Sequence, residues 1–312
     1  MKRSIVILAA ALPMALPAAA QEVRTVTDHM GFEVVVPDVP QRVVTLNDWT
    51  TTVMAHELGA NVVGSGGRVG SDGAPYMRSM RELYGVEFGD EIALASIHGE
   101  LDAERIAALR PDLIIALESD AMPYRAQLAS IAPVLMYAAE NGQSGLENYA
   151  DLAEWLGKGA AFDALQAGYE ARVQDVRGRM PAAPGSYIAM LPNPREGTIY
   201  IYRTYGSMTV VLEDLGFSRD PMMDAVPEGA QSMVSSAELI GGITADSIFM
   251  THIPDRGEDL GVLMGQLDEI APGYRDFLPA VAAGNVVSLP RFHVYPPTFA
   301  AMGQVLDHFD PQ

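Results

Sequence analysis

Apolar residues along this chain alternate between two rhythms: short continuous runs, and longer stretches where they recur at helical spacing. Residues 23–26 and 32–36 predict two strands, with Asp28, His29, Met30 and Gly31 as the turn between them. Residues 41–46 predict a strand, 50–58 a helix closed by Gly59, and 61–64 another strand. Strand, helix, strand is the unit of a parallel α/β sheet. Residues 64–73 are polar and glycine-rich and predict a loop. Residues 101–109 predict a helix and 113–117 a strand; the latter is apolar at every position, as a strand covered on both faces should be. A helix over 124–131 and a strand over 134–137 follow.

Ser144 opens the longest helical pattern, with Glu147 at capping-box spacing. Leu146, Tyr149, Leu152, Leu156, Phe162, Leu165, Tyr169, Val173 and Val176 continue it until Gly178 and Pro181. Unbroken, it would run roughly 50 Å at about 1.5 Å per residue. Gly157, Lys158 and Gly159 are where it can bend or split. Its place in mid-chain makes it a stiff connector between two halves. The second half resumes the first rhythm, with strands at 186–191, 198–202, 245–250 and 285–289. Helical segments lie at 209–215, 236–240 and 260–268, and an amphipathic helix at 298–309 ends the chain.

The first residues follow a different logic. Lys2 and Arg3, an apolar run over 5–16, Pro17 and then Ala18-Ala19-Ala20 read as a cleaved export signal over 1–20. The run is too short to span a bilayer stably. No cysteine occurs, so neither a thioether lipid anchor nor a disulfide nor a thiol nucleophile is available, and no stable membrane anchor is expected. About 292 residues remain, enough for two cores, with 49% apolar content to fill them. Removing Lys2 and Arg3 takes the formal net charge from -20 to -22. That excludes a nucleic-acid partner, for want of a basic stripe.

The familiar catalytic signatures are absent. In Gly64-Ser65-Gly66-Gly67-Arg68-Val69-Gly70 the third glycine falls one position late for a dinucleotide fingerprint. His56-Glu57 lacks the second histidine of a zinc-protease motif, and no nucleophile-elbow pentapeptide marks a hydrolase. An exported hydrolase-like enzyme is therefore the weakest alternative.

Several blocks resemble one family in order and spacing. They are 26–34 with 40–46, then Leu58-Gly59-Ala60-Asn61-Val62-Val63-Gly64, then the helix-to-strand run 101–115, then 211–217 and Ser236-Ala237-Glu238-Leu239-Ile240. They resemble periplasmic substrate-binding proteins of the ferric-siderophore and cobalamin type, partners of ATP-driven importers. The resemblance implies an α/β fold of two Rossmann-like lobes joined by one long rigid helix, with the ligand cleft between the lobes. The N-terminal lobe would span 21–143, the connecting helix 144–179 and the C-terminal lobe 180–297. The final helix, 298–312, would pack back on the N-terminal lobe. The implied role is capture of an Fe(III)-siderophore in the periplasm, by a monomer without intrinsic cofactor, for delivery to an ABC permease and its ATPase. Haem or cobalamin is the alternative ligand.

In such a fold the cleft faces loops that follow the parallel strands. Those loops carry Trp49; Arg68, Tyr76 and Arg78; Tyr124; Arg203 and Tyr205; His252 and Arg256; and Arg291, His293 and Tyr295. Arginine offers rigid donors to carboxylate or catecholate oxygens, and the aromatic rings offer apolar walls with polar handles. His252 or Tyr295 could complete iron coordination through a chelate. Some relatives that bind anions place a base after the strand 113–117, where this chain carries Glu118-Ser119-Asp120. His98 reads as structural or surface. Glu57 and Glu213 are the expected exposed acids for docking on the permease, one on each lobe.

Overall fold

The computed structural model describes residues 22–310 except 71, 90, 181 and 182. The expected export signal lies outside them. A hairpin of β1 (Val23–Thr27) and β2 (Glu33–Pro37) opens the described chain. Asp28 ties it down. Its Oδ1 accepts the N–H groups of Met30 and Phe32 at 3.0 and 2.9 Å, closing the turn. Its Oδ2 accepts the Met136 N–H at 3.0 Å, fastening the hairpin to the lobe.

The N-terminal lobe is built on β3 (Val43–Thr45), β4 (Val62–Val69), β5 (Pro75–Tyr76), β6 (Ala93–Ile97), β7 (Leu113–Leu117) and β8 (Val134–Tyr137). β6, β4, β3, β7 and β8 pair in parallel in that order, and short β5 runs antiparallel to the end of β4. The chain steps from β3 to one side and returns on the other for β7. That reversal leaves a crevice outside the carboxyl ends of β3 and β7. Leu113, Ile114 and Ile115 are fully buried, as their continuous apolarity requires. Each contributes about 1.5–3 kcal/mol of burial.

The C-terminal lobe contains β9 (Ser186–Asn193), β10 (Thr198–Tyr202), β11 (Ser218–Arg219), β12 (Ser232–Ser236), β13 (Ser247–His252) and β14 (Val286–Pro290). Its order is β12-β10-β9-β13-β14, with β11 beside the start of β9. β9, β11, β13 and β14 run parallel; β10 is antiparallel to both neighbours, so this sheet is mixed. The two lobes are thus α/β, joined by a long helix.

Three local details sharpen the expectation. The connector divides where Gly157, Lys158 and Gly159 allow it, into a helix Gly145–Trp155 and a long helix Gly159–Arg179. Its capping box forms, the Ser144 hydroxyl accepting the Glu147 N–H while Glu147 accepts the Ser144 N–H. The split falls at Gly157, whose φ is +66° and where a Cβ would lie 2.3 Å from the Asp38 carbonyl oxygen. The glycine-rich run at 64–67 is not loop but the body of β4. A Cβ on Gly66 would sit 2.6 Å from the Leu46 carbonyl oxygen, so glycine here serves close packing inside the sheet. The C-terminal helix, Phe299–Phe309, lies along the helices Gly206–Asp214 and Gly159–Arg179, and its first turn meets the N-terminal lobe at Glu57. Arg172 and Arg179 hold it through Asp307 and Asp310. Among the described residues no helix is long and apolar enough to cross a membrane.

Candidate functional site

The N-terminal wall of the cleft begins where β3 ends. Asn47 Oδ1 accepts the Thr50 N–H at 2.9 Å and its hydroxyl at 2.7 Å, folding the loop so that Asp48 and Trp49 stand on it. Asp48 and Arg78 are 1% and 5% exposed. The Arg78 N–H and Nε each donate to Asp48 Oδ2 at 2.8 Å, and Nη2 donates to Oδ1 at 2.5 Å. This closed pair locks the loop before the helix Ser79–Tyr84 against the loop after β3. The Arg78 guanidinium also lies 4.2 Å from the centre of the Trp49 ring.

Trp49 reaches the other lobe. It stacks on Tyr295 with centroids 3.9 Å apart and meets Phe292 edge-on at 6.2 Å. Behind it, the Tyr205 hydroxyl joins Thr251 Oγ1 at 2.8 Å and accepts from Arg291 Nε at 2.8 Å. Burial raises the phenol pKa of Tyr205, and burial pushes Tyr295 up to about 12. Both are therefore neutral hydroxyls at physiological pH. The Tyr295 hydroxyl donates to Gln231 at 3.3 Å.

A cavity of about 480 Å³ opens between the lobes, lined on one side by Val69, Tyr76 and Arg81 and on the other by Asp255, Arg256 and Phe292. Of the sequence-predicted residues, Tyr76 and Arg256 face it directly. Arg68 pairs with Tyr76 across β4 and β5, so the two side chains share a face. Its guanidinium has no hydrogen-bond partner among the described residues, and its Nε is sealed from solvent. Burial first, and Arg78 second, lower its pKa. A second cavity of about 190 Å³ also lies between the lobes, lined by residues that include Thr50, Tyr137, Glu213, Gln231 and Tyr295.

Other candidates are occupied elsewhere. Arg203 donates to the carbonyls of Asp224 and Val226, at 3.4 and 3.2 Å, which ties it to its own lobe. His252 Nδ1 lies 2.7 Å from Ser288 Oγ, and burial lowers its pKa. His293 Nε2 lies 3.3 Å from Glu82 Oε2, bridging the lobes. Tyr124 is 43% exposed beside a separate crevice that it shares with His98 and Asp120. Asp120 pairs with His98 at 3.2 Å. Among the described residues no group of three or more His, Cys, Asp or Glu could hold a metal ion.

The docking acids sit differently from expectation. Glu57 is half-buried, not free on the surface. Its carboxylate accepts the N–H groups of Phe299 and Ala300 at 3.0 and 2.6 Å and the hydroxyls of Tyr84 and Tyr149 at 3.1 and 2.7 Å. It caps the C-terminal helix, where an acid offsets the exposed amide donors of the first turn. Glu213 accepts from Arg219 at 2.6 Å and from the Tyr187 hydroxyl at 2.9 Å. Sequence reasoning missed Arg81, which donates to Glu82 and, across the cleft, to Asp255. It lies on the helix Ser79–Tyr84, whose six residues are too few for a periodic signal.

A profile of the periplasmic binding protein family matches residues 53–291. The probable siderophore-binding lipoprotein YfiY of Bacillus subtilis is 28% identical over 205 residues, which are 64% of this chain and 58% of that protein. The chain thus spans less than two thirds of that relative's length. Staphylococcus aureus SirA, solved with staphyloferrin B, shares 21% identity over 92% of this chain and 96% of its own, with a TM-score of 0.70. The FhuD protein of S. pseudintermedius shares 16% identity over 93% and 97%, with a TM-score of 0.72. FhuD of Vibrio cholerae, solved with Fe3+-Desferal, shares 19% over 86% and 97%, at 0.63. At these identities the structures speak to the fold.

Proposed function

This chain belongs to the periplasmic binding protein family, and from that premise we propose that it captures a ferric siderophore between its lobes and delivers it to an ABC permease and its ATPase. The observation that carries the reading is the cavity of about 480 Å³ walled by Tyr76, Arg81, Arg256 and Phe292 from opposite lobes. A wide, two-sided cleft with guanidinium and aromatic walls suits a bulky chelate whose iron is already coordinated. A bare cation would need a tight set of ligating side chains instead. The relatives whose names or ligands specify siderophores support the same assignment.

On this reading Trp49, Arg68, Tyr76, Arg78, Arg256, Arg291 and Tyr295 form or back the cleft, and His252 and His293 stand at its C-terminal side. Family membership supports a periplasmic location. It carries out no reaction of its own; its work is binding, and the chelate brings the iron. Delivery requires acids other than Glu57 on the N-terminal lobe, because that carboxylate is committed to the C-terminal helix.

Tryptophan emission offers the test, since Trp49 lies at the cleft and Trp155 is buried away from it against His29. Titration with ferric siderophores, haem and cobalamin should give saturable quenching by a ferric chelate and none by its iron-free form. The quenching should vanish in Trp49→Phe. Binding of haem or cobalamin with no response to any ferric chelate would reject the assignment and keep the fold.

A further inference from the structure

Asp48 is fully spent. Arg78 occupies both of its oxygens, through three donors. Arg68 lies in the same electrostatic neighbourhood, close enough for Arg78 and Asp48 both to act on its charge. Two guanidiniums therefore share one carboxylate, and Arg68 is the one left over. Its Nε is closed off from water without a partner, which is costly for a cation unless something else supplies an acceptor. Its neighbours Val69 and Gly70, and its cross-strand partner Tyr76, line the wide cavity.

The nearby acids are already engaged. Asp255 is bound by Arg81, and Glu82 by Arg81 and His293. Asp120 pairs with His98, and Asp72 accepts the Ala74 N–H at 3.0 Å. Glu118, half-buried after β7, and Glu140, exposed and acting on Tyr295, carry no ion pair among the described residues. The opposite wall shows the same surplus of base. Arg291 Nε meets the neutral Tyr205 hydroxyl, and Glu258, whose charge acts on Arg291, is engaged by the Ile253 N–H. Arg256 lines the cavity exposed, with no carboxylate paired to it among the described residues. The sequence holds 40 acids against 20 bases, so arginines lacking a carboxylate at one cleft go against the chain's own excess.

Building on the siderophore reading, we infer that the cleft selects an anionic ferric chelate, whose carboxylate or catecholate oxygens take up the free donors of Arg68, over a neutral tris-hydroxamate. The oxygens of such a chelate accept charge-assisted hydrogen bonds that a neutral complex forms more weakly. Arg78, neutralised by Asp48, stands behind as a fixed support rather than as the charge-reading residue.

The test is calorimetric titration of the full-length mature protein with four iron-loaded probes. Ferric enterobactin is an anionic tris-catecholate, ferric citrate an anionic carboxylate complex, ferrichrome a neutral tris-hydroxamate and ferrioxamine B a cationic one. At least one anionic probe should bind about 100-fold more tightly than the neutral and cationic probes. Arg68→Gln should weaken that probe about 10–100-fold and ferrichrome by no more than about 3-fold, while Arg68→Lys restores part of the loss. Should Arg68→Gln fail to fold, the wild-type protein still decides, because anionic binding must weaken as salt rises. Ferrichrome or ferrioxamine B binding most tightly would overturn the inference and leave siderophore capture standing. Tight anionic binding that neither salt nor Arg68→Gln alters would overturn it too. Failure of every ferric chelate to bind would remove the capture reading and this inference with it.

Discussion

On the N-terminal wall of the cleft a buried guanidinium meets a carboxylate; on the C-terminal wall a half-buried one meets a phenol. Arg78 and Asp48 cancel each other and fix two loops at once. Arg291 gives one hydrogen bond to Tyr205, which passes the contact on to Thr251 and takes away none of the positive charge. The difference separates two uses of arginine. A guanidinium closed by a carboxylate has become part of the scaffold, because opening it would strand two buried charges. A guanidinium resting on a neutral hydroxyl keeps its field for whatever enters the cleft. Arg68 carries this furthest, with no hydrogen-bond partner among the described residues beside the closed pair.

The strongest way to break the comparison is to open the closed pair. Asp48→Asn leaves Arg78 buried without a counter-charge and should cost about 3–5 kcal/mol in urea unfolding. A loss below about 1 kcal/mol would mean that Arg78 relaxes to water and that the pair is not structural. Next comes Tyr205→Phe, which removes the hydroxyl shared by Thr251 and Arg291. It should cost about 2 kcal/mol, since the lost bond has one charged partner. Chelate affinity should hold or rise, because Arg291 keeps its charge and gains a free donor. A fall in affinity equal to that of Arg68→Gln would show that the phenol itself contacts ligand.

The smallest effect concerns His252. Burial lowers its pKa, and Asp259 and Glu258 only partly offset this. The unfolded chain thus binds the proton more readily than the folded one. Stability from the neutral imidazole is fully present above about pH 6.5 and is lost as pH falls from there through the folded value. His252→Gln should flatten that acid slope in thermal melts between pH 7.5 and 5. An unchanged slope would assign the acid sensitivity to the other histidines His29, His56 and His308, whose pKa values partial burial also lowers.

Much of the scaffold was legible because it is written in local patterns. The continuous apolarity of 113–117 and the Ser144–Glu147 spacing each translate directly into an element. What failed was read from composition without its tertiary neighbour. Glycines at 64–67 signal a loop only until Leu46 and Leu109 are seen pressed against them. Glu57 looked like a surface acid because the amides it caps lie more than two hundred residues away in Phe299 and Ala300. The loops after the strands are legible as carrying a set of arginines and aromatics. Which of those arginines is cancelled and which is free depends on Asp48, Asp255 and Tyr205, and no spacing along the chain announces those pairings.

The most direct measurement is an anomalous difference map at the iron edge, from crystals grown with the tightest-binding ferric chelate. A single iron peak between the lobes is predicted, inside the cavity bounded by Tyr76, Arg81, Arg256 and Phe292, with chelate oxygens within hydrogen-bond reach of Arg68. An iron peak on an outer face of either lobe, or a chelate lodged in the cleft with Arg68 still unpartnered, would contradict the account.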